Sequence, residues 1–341
     1  MIIIIILHNN STQRGFFEMF TRHRTMMFTF ICCLLVMVVT ACSEAASTNT
    51  QGGTDQATLS QADAIDNKQD AKAAGSDKRI AVLSIPFTSD LLALGITPAG
   101  AVTQKGKEFL PHVADLLNNT QNLGNSQEPN LEAIVSIEPE LIIAQEELIQ
   151  GKKEELEKIA PTIVLNFRNS TWQDQLSQLG KATGREKEAD AFISNYNQEA
   201  ASAKEKVKQA LGDETVMVLR VLKKEFRVYG LDRNYGSLLY EDLGIKPAKG
   251  LENMGQGKEG PQAISRELLP DFDPDHILLE VSADAAAQQL FKELEESAIW
   301  KNMKAVKNGN VHAIEQQPWL DYSAIGQLKS LEEAVKLFTQ K

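Results

Sequence analysis

Residues 171–211 read T-W-Q-D-Q-L-S-Q-L-G-K-A-T-G-R-E-K-E-A-D-A-F-I-S-N-Y-N-Q-E-A-A-S-A-K-E-K-V-K-Q-A-L. Trp172, Leu176, Leu179 and Ala182 recur at steps of three and four, which places them on one stripe of a helix. Gly184 permits a break. The run after it has no Pro or Gly, and Ala189, Phe192, Ile193, Tyr196, Ala200, Ala203, Val207 and Leu211 mark its buried side. At 1.5 Å per residue this second helix spans roughly 40 Å, the width of two small lobes side by side. The stretch is expected to be a rigid strut between two α/β lobes with a ligand cleft between them. The same pattern would also suit the outer layer of a single α/β domain, so the flanking segments must decide.

Those segments are of similar size on either side. Before the strut, I-A-V-L-S (80–84) predicts a strand, followed by a turn at Pro86 and a helix through Leu91 and Leu94 that Gly95 caps. I-T-P-A-G-A-V predicts a second strand, Leu131 to Ser136 a short helix, and Leu141 to Ala144 and Ile163 to Asn166 buried strands. Residues 104–128 are polar and turn-rich, and are expected to be loops at the cleft edge. Strand and helix in alternation imply a parallel sheet covered on both faces. After the strut, 216–222 and 226–230 predict a hairpin, Leu238 to Gly244 a helix, and Ala263 to Leu269 a short helix. His276 to Val281 and Val311 to Ile314 predict strands, and Ser323 to Thr339 a closing amphipathic helix. The expected fold is α/β, two Rossmann-like lobes (78–170 and 212–341) joined by the helix at 171–211.

The N-terminus carries different signals. Arg14, Arg22 and Arg24 precede an uncharged apolar run, Met26 to Val39, that is short for a membrane span and ends in V-T-A-C at Cys42. This resembles a bacterial lipobox, and predicts a signal peptide over 1–42 with Cys42 lipidated; a short transmembrane anchor is the other reading. The leading M-I-I-I-I-I-L-H fits neither and is consistent with a start at Met19 or Met26. Residues 43–77 hold almost no large apolar side chain and predict a disordered tether. The chain would then sit on the extracytoplasmic face of the cell membrane. The three cysteines are Cys32, Cys33 and Cys42, so no disulfide or cysteine metal site is expected in the processed chain. A net charge of −11 argues against a nucleic-acid partner.

The two halves share a motif. P-N-L-E-A-I-V-S-I-E-P-E-L-I-I (129–143) aligns with P-Q-A-I-S-R-E-L-L-P-D-F-D-P-D-H-I-L-L (261–279) when Pro139 is set on Pro274. Acidic residues then match on both sides of the proline: Glu138 with Asp273, and Glu140 with Asp275. Glu132 and Glu267 each stand seven residues upstream of the proline. Acids near a helix start are favoured by the macrodipole alone; the sharper reading is one acidic knob per lobe, presented to a symmetric partner.

From Arg79 onward the chain resembles the iron–siderophore and vitamin B12 family of ABC-transporter substrate-binding proteins. The likeness is carried by L-A-L-G-I-T-P-A-G, N-L-E-A-I-V-S-I-E-P-E-L-I-I, A-P-T-I-V-L, the strut, Y-G-S-L-L-Y-E-D-L-G-I-K-P and W-K-N-M-K-A-V-K-N-G-N-V-H-A-I, in that order. The resemblance implies the two-lobe, single-helix fold (class III periplasmic-binding-protein-like) and capture of a ferric siderophore for an ABC permease dimer with its ATPase subunits. It also implies docking of Glu132 and Glu267 into arginine pockets on that permease. A monomer without intrinsic cofactor or catalysis is expected.

A ferric siderophore is a bulky, often anionic chelate, so its cleft calls for cations and aromatic faces. R-V-L-K-K-E-F-R-V-Y-G supplies Arg220, Arg227 and Tyr229, the last two on one strand face; Tyr235 follows. The resemblance also puts Trp319 and Tyr322, in Q-P-W-L-D-Y-S, at the cleft. Arg168, Lys105, Lys107, His112 and Trp172 are further first-lobe possibilities, and the arginines lean toward an anionic ligand. Haem or cobalamin remains open through Tyr229 or His112. A Zn or Mn receptor is disfavoured, since only His112, His276 and His312 remain after processing and two of them lie in predicted strands. No G-x-S-x-G, P-loop or H-E-x-x-H supports a surface enzyme.

Overall fold

The computed structural model describes residues 78–106, 108–149, 151–254 and 261–340. The expected signal peptide and tether, with Cys42, and Lys107 lie outside them. The first sheet is built from Ile80–Leu83 (β1), Gly100–Thr103 (β2), Gln121–Asn125 (β3), Glu128–Pro129 (β4), Leu141–Gln145 (β5) and Thr162–Leu165 (β6), in the order β4-β3-β2-β1-β5-β6. All pairs are parallel except β3 with β4. Every side chain of β1, β2 and β5 is buried, as continuous apolar strands between two helical layers must be. Ile85–Ala93 (α1) starts with Pro86 in its first turn, where the missing N–H has no helical partner to lose. Leu131–Ser136 (α2) is capped by the Asn130 carboxamide, which accepts the Ala133 N–H at 3.1 Å. The expectation of loops throughout 104–128 is corrected here: β3 lies within it and β4 begins at its last residue. Only Leu123 of β3 is buried, so this short strand carries too little apolar pattern to be read.

The strut is two helices. Trp172–Thr183 (α3) opens with a capping box between Thr171 and Asp174 and stops at Gly184 (φ 70°), and Glu186–Leu211 (α4) runs on for 26 residues. The second sheet holds Thr215–Leu222 (β7), Glu225–Val228 (β8), Lys246–Pro247 (β9), Gln262–Ile264 (β10), His276–Val281 (β11) and Val311–Ala313 (β12), ordered β10-β8-β7-β11-β12 with β9 beside the start of β7. Ala285–Glu296 (α5) and Ala324–Thr339 (α6) are the two longest helices after the strut among the described residues. One expectation changes here. Ala263 and Ile264 are not helical but pair with Arg227 and Phe226, and helical turns begin only at Arg266. The extra strand β10 lies on the far side of β8 from β7.

One apolar core crosses the seam. Val82, Phe87 and Leu91 of the first lobe, Leu176 and Leu179 of α3, Tyr196 and Val207 of α4, and Val218 and Leu278 of the second lobe belong to a single cluster. Trp172 is buried in it against Phe192 and Tyr196, with ring centroids 6.3 and 4.7 Å away, so it is a core residue and not part of the cleft. Helix α6, counted above with the second lobe, packs on α1, α3 and α4 and thus spans the seam as well. Separate clusters fill the outer faces of the two sheets.

The doubled motif is structural as well as sequential. Glu138 (φ 45°) and Asp273 (φ 39°) both take the left-handed conformation, uncommon for residues other than glycine. Glu140 accepts the Arg79 N–H at 3.0 Å and its own N–H reaches the Arg79 carbonyl at 2.8 Å. Asp275 repeats this on Thr215, at 2.9 and 3.1 Å. Each acid after a proline therefore fixes the start of the first strand of its sheet, a turn-forming role.

Candidate functional site: the cleft at the seam

A cleft of about 620 Å³ opens where the carboxyl ends of the parallel strands of both lobes meet. Gln104 and Lys105 follow β2, Asn125 ends β3 with Ser126 and Gln127 turning into β4, Gln145 ends β5, and Phe167 follows β6. From the second lobe come Arg220 of β7, Arg227 of β8, Tyr229 just beyond it, and Gln316, Gln317 and Asp321 from the connection between β12 and α6. Lys105, Arg220, Arg227 and Tyr229, four of the residues singled out in the sequence, thus line one cleft. Hairpin register explains it: Arg220 and Arg227 are direct cross-strand partners.

The arginines are not free. Arg220 Nε donates to the Glu280 carboxylate from β11, and Nη1 donates to the Tyr229 hydroxyl at 2.8 Å, with all three residues buried. Burial opposes the guanidinium charge, but Glu280 and Tyr229 outweigh it and hold the pKa above its ordinary value. Burial likewise pushes the Tyr229 hydroxyl up, with Arg220 acting against it. Arg227, about a third exposed, is paired with Glu225.

The remaining predicted aromatics form a layer behind the cleft wall. Tyr235 and Trp319 are 0% and 1% exposed and stack at 5.7 Å, with Tyr235 edge-on to Tyr229 at 4.6 Å. Tyr322 is buried edge-on to Phe167 at 6.1 Å. These three support the lining without being part of it. Arg168 is exposed outside the cleft, and its backbone N–H is held by Glu147 at 2.6 Å.

Arg233 was missed. It follows the hairpin in an ordinary L-D-R-N stretch, with φ 56°. Its guanidinium lies 4.6 Å from the Phe167 ring centroid and 4.2 Å from that of Tyr322. Nη1 donates to the carbonyls of Phe167, Arg168 and Ser170 at 3.2, 3.0 and 3.2 Å. A second-lobe side chain thereby pins the first-lobe connection between β6 and α3. Asp321 adds another tie, accepting from Ser89 Oγ at 2.8 Å with His112 Nε2 at 2.8 Å from the same oxygen. Beside it, burial pushes the Asp90 carboxyl well above the usual range although the Ala324 N–H donates to it at 2.7 Å. His112 is therefore part of the seam.

Glu132 and Glu267 are both exposed, in the first turn of α2 and in the turn after β10. Each stands a few residues after a short antiparallel strand, β4 or β10, that leaves the cleft rim. Of the four large apolar side chains exposed among the described residues, three flank these glutamates: Leu131 (36%), Val135 (54%) and Leu268 (45%).

No group of three or more His, Cys, Asp or Glu is arranged for a metal among the described residues. His276 and His312 instead bond each other at 3.1 Å in the second lobe, and His276 also reaches Glu214 at 2.8 Å. No helix of the described residues is long and apolar enough to cross a membrane.

Residues 80–318 match the family model described as periplasmic binding protein. A probable siderophore-binding lipoprotein of Bacillus subtilis, YfiY, is 30% identical over 94% of this chain and 99% of its own length. The iron(3+)-hydroxamate-binding protein FhuD of the same organism is 32% identical over 70% of this chain and 74% of its own. Among solved structures, Staphylococcus aureus SirA complexed with staphyloferrin B superposes with a TM-score of 0.67 at 27% identity, covering 76% of this chain and 92% of that one. With a matched model over most of its length, two α/β lobes and a cleft at their seam, this chain belongs to the periplasmic binding protein family.

Proposed function

We propose that the chain captures a ferric siderophore in the seam cleft and delivers it to an ABC importer. The observation that carries this reading is the cleft itself: wide, open, built from both lobes, and floored by Arg220, Arg227 and Tyr229. Its shape suits a bulky preformed chelate better than a single ion. Relatives named for siderophores and iron hydroxamates, and a neighbour that holds staphyloferrin B, point the same way. Binding without chemistry is the role of this family, and the cleft is read as a receptor site and not an active centre.

Delivery rests on Glu132 and Glu267, which the internal repeat puts at equivalent places on the two lobes. Cys42 would hold the chain to the outer face of the membrane through a lipid, the segment 43–77 serving as leash. The permease, its ATPase subunits and a monomeric receptor complete the picture. The test of capture is a tryptophan-quenching titration of the processed chain with ferric siderophores, haem, cobalamin and Zn²⁺. Trp319 stacks on Tyr235, which touches Tyr229 of the cleft, so an occupied site reaches a reporter. Saturable quenching by a ferric siderophore is expected; quenching by Zn²⁺, haem or cobalamin alone would overturn the reading.

A further inference from the structure

Among the described residues, the cleft wall carries no surplus of positive charge. Three cations line it, Lys105, Arg220 and Arg227. Against them stand three carboxylates: Asp321 in the lining, Glu280 on Arg220 and Glu225 on Arg227. What the wall has in excess is amide. Seven side-chain carboxamides line it, with Gln104, Asn125 and Gln127 on one side and Gln316 and Gln317 on the other. Aromatic faces are scarce, because Tyr235, Trp319 and Tyr322 are packed behind the wall and only Phe167 and Tyr229 reach it.

We infer that the cleft selects an uncharged ferric trihydroxamate over the anionic catecholate and citrate chelates. This rests on the capture reading above and goes beyond it to the class of chelate. Three hydroxamates neutralise Fe³⁺, whereas three catecholates leave the complex triply anionic and citrate complexes also keep negative charge. A trianion entering this cleft loses its hydration and meets arginines whose charge is already satisfied by carboxylates, so the exchange is unfavourable. An uncharged chelate avoids that cost. Its coordinating oxygens and amide groups meet carboxamides that both donate and accept, and the arginines keep N–H groups for hydroxamate oxygens. Flat catechol rings, in turn, would find few faces to stack on. The pairing of the arginines reverses the lean toward an anionic ligand that their number alone suggests.

The experiment is a titration of the processed chain with ferrichrome, ferric enterobactin and ferric citrate at low and high salt, on the native chain and on Glu225→Gln and Glu280→Gln. Ferrichrome should bind at least about tenfold tighter than either anionic complex, with little dependence on salt. Each variant unmasks an arginine and should raise affinity for ferric enterobactin several-fold, an increase that high salt removes. Glu225 is partly exposed, so its variant remains informative should Glu280→Gln fail to fold. Tighter binding of ferric enterobactin or ferric citrate by the native chain, weakened by salt, would overturn the class while leaving capture intact. Binding of none of the three would overturn capture itself.

Discussion

Arg233 closes the seam through two ring faces and three carbonyls. Truncating it leaves three backbone acceptors and two aromatic faces without their partner. Arg233→Ala should therefore lower the unfolding free energy by roughly 3 kcal/mol in a denaturant titration. A loss under about 0.5 kcal/mol would mean that the contact is not a structural tie. His312 gives a pH signature. Burial, then the neighbouring His276, lowers its pKa below the ordinary value of about 6.5. The unfolded chain takes up this proton first, so the contribution is fully present above about pH 6.5 and is lost as pH falls below it. In His312→Gln the unfolding free energy should change less between about pH 7.5 and pH 5.5 than in the native chain; an unchanged slope would assign the acid sensitivity elsewhere. At this scale the site was half legible. Arg220, Arg227 and Tyr229 could be found because hairpin alternation dictates which side chains share a face. Tyr235, Trp319 and Tyr322 could not be placed, since an aromatic beside a cleft serves equally as lining or as the layer behind it. Arg233 had no pattern at all, being defined by a positive φ and by partners more than sixty residues away.

Among the elements, α2 and the turn after β10 carry the delivery half of the account. Each sets a glutamate beside exposed leucine or valine, a combination that suits a partner with basic pockets rimmed by apolar side chains. Charge reversal at Glu132 and Glu267 together should abolish uptake in cells while chelate affinity in vitro stays unchanged. Replacing Leu131, Val135 and Leu268 with Ser should also depress uptake without weakening chelate binding. Lost chelate binding in the glutamate pair would remove them from the docking role. The repeat that locates these elements was readable because a proline between two acids forces the same turn twice, with Glu140 and Asp275 closing onto equivalent backbone. The short strands β3, β4 and β10 were not readable. Two to five residues with at most one or two apolar side chains leave pairing to be decided by the neighbouring strand.

For the whole molecule, the strut sets how much the lobes can move. The fold class was legible because α3 and α4 keep helical periodicity over forty residues between two strand-rich halves. What the periodicity could not reveal is that the apolar core is continuous from Val82 to Leu278 through both helices, with α6 laid across the same seam. Closure by a hinge would have to shear that core and break the Arg233 and Asp321 ties. Scattering profiles with and without saturating chelate should therefore give radii of gyration within about 1 Å of each other. The central claim, that a ferric chelate is held jointly by both lobes, is tested most directly by hydrogen exchange with and without saturating ferrichrome. Protection should rise together in residues 103–105 and 125–128 of the first lobe and in 220–230 and 315–321 of the second. Protection confined to one lobe, or located away from all four segments, would contradict the account.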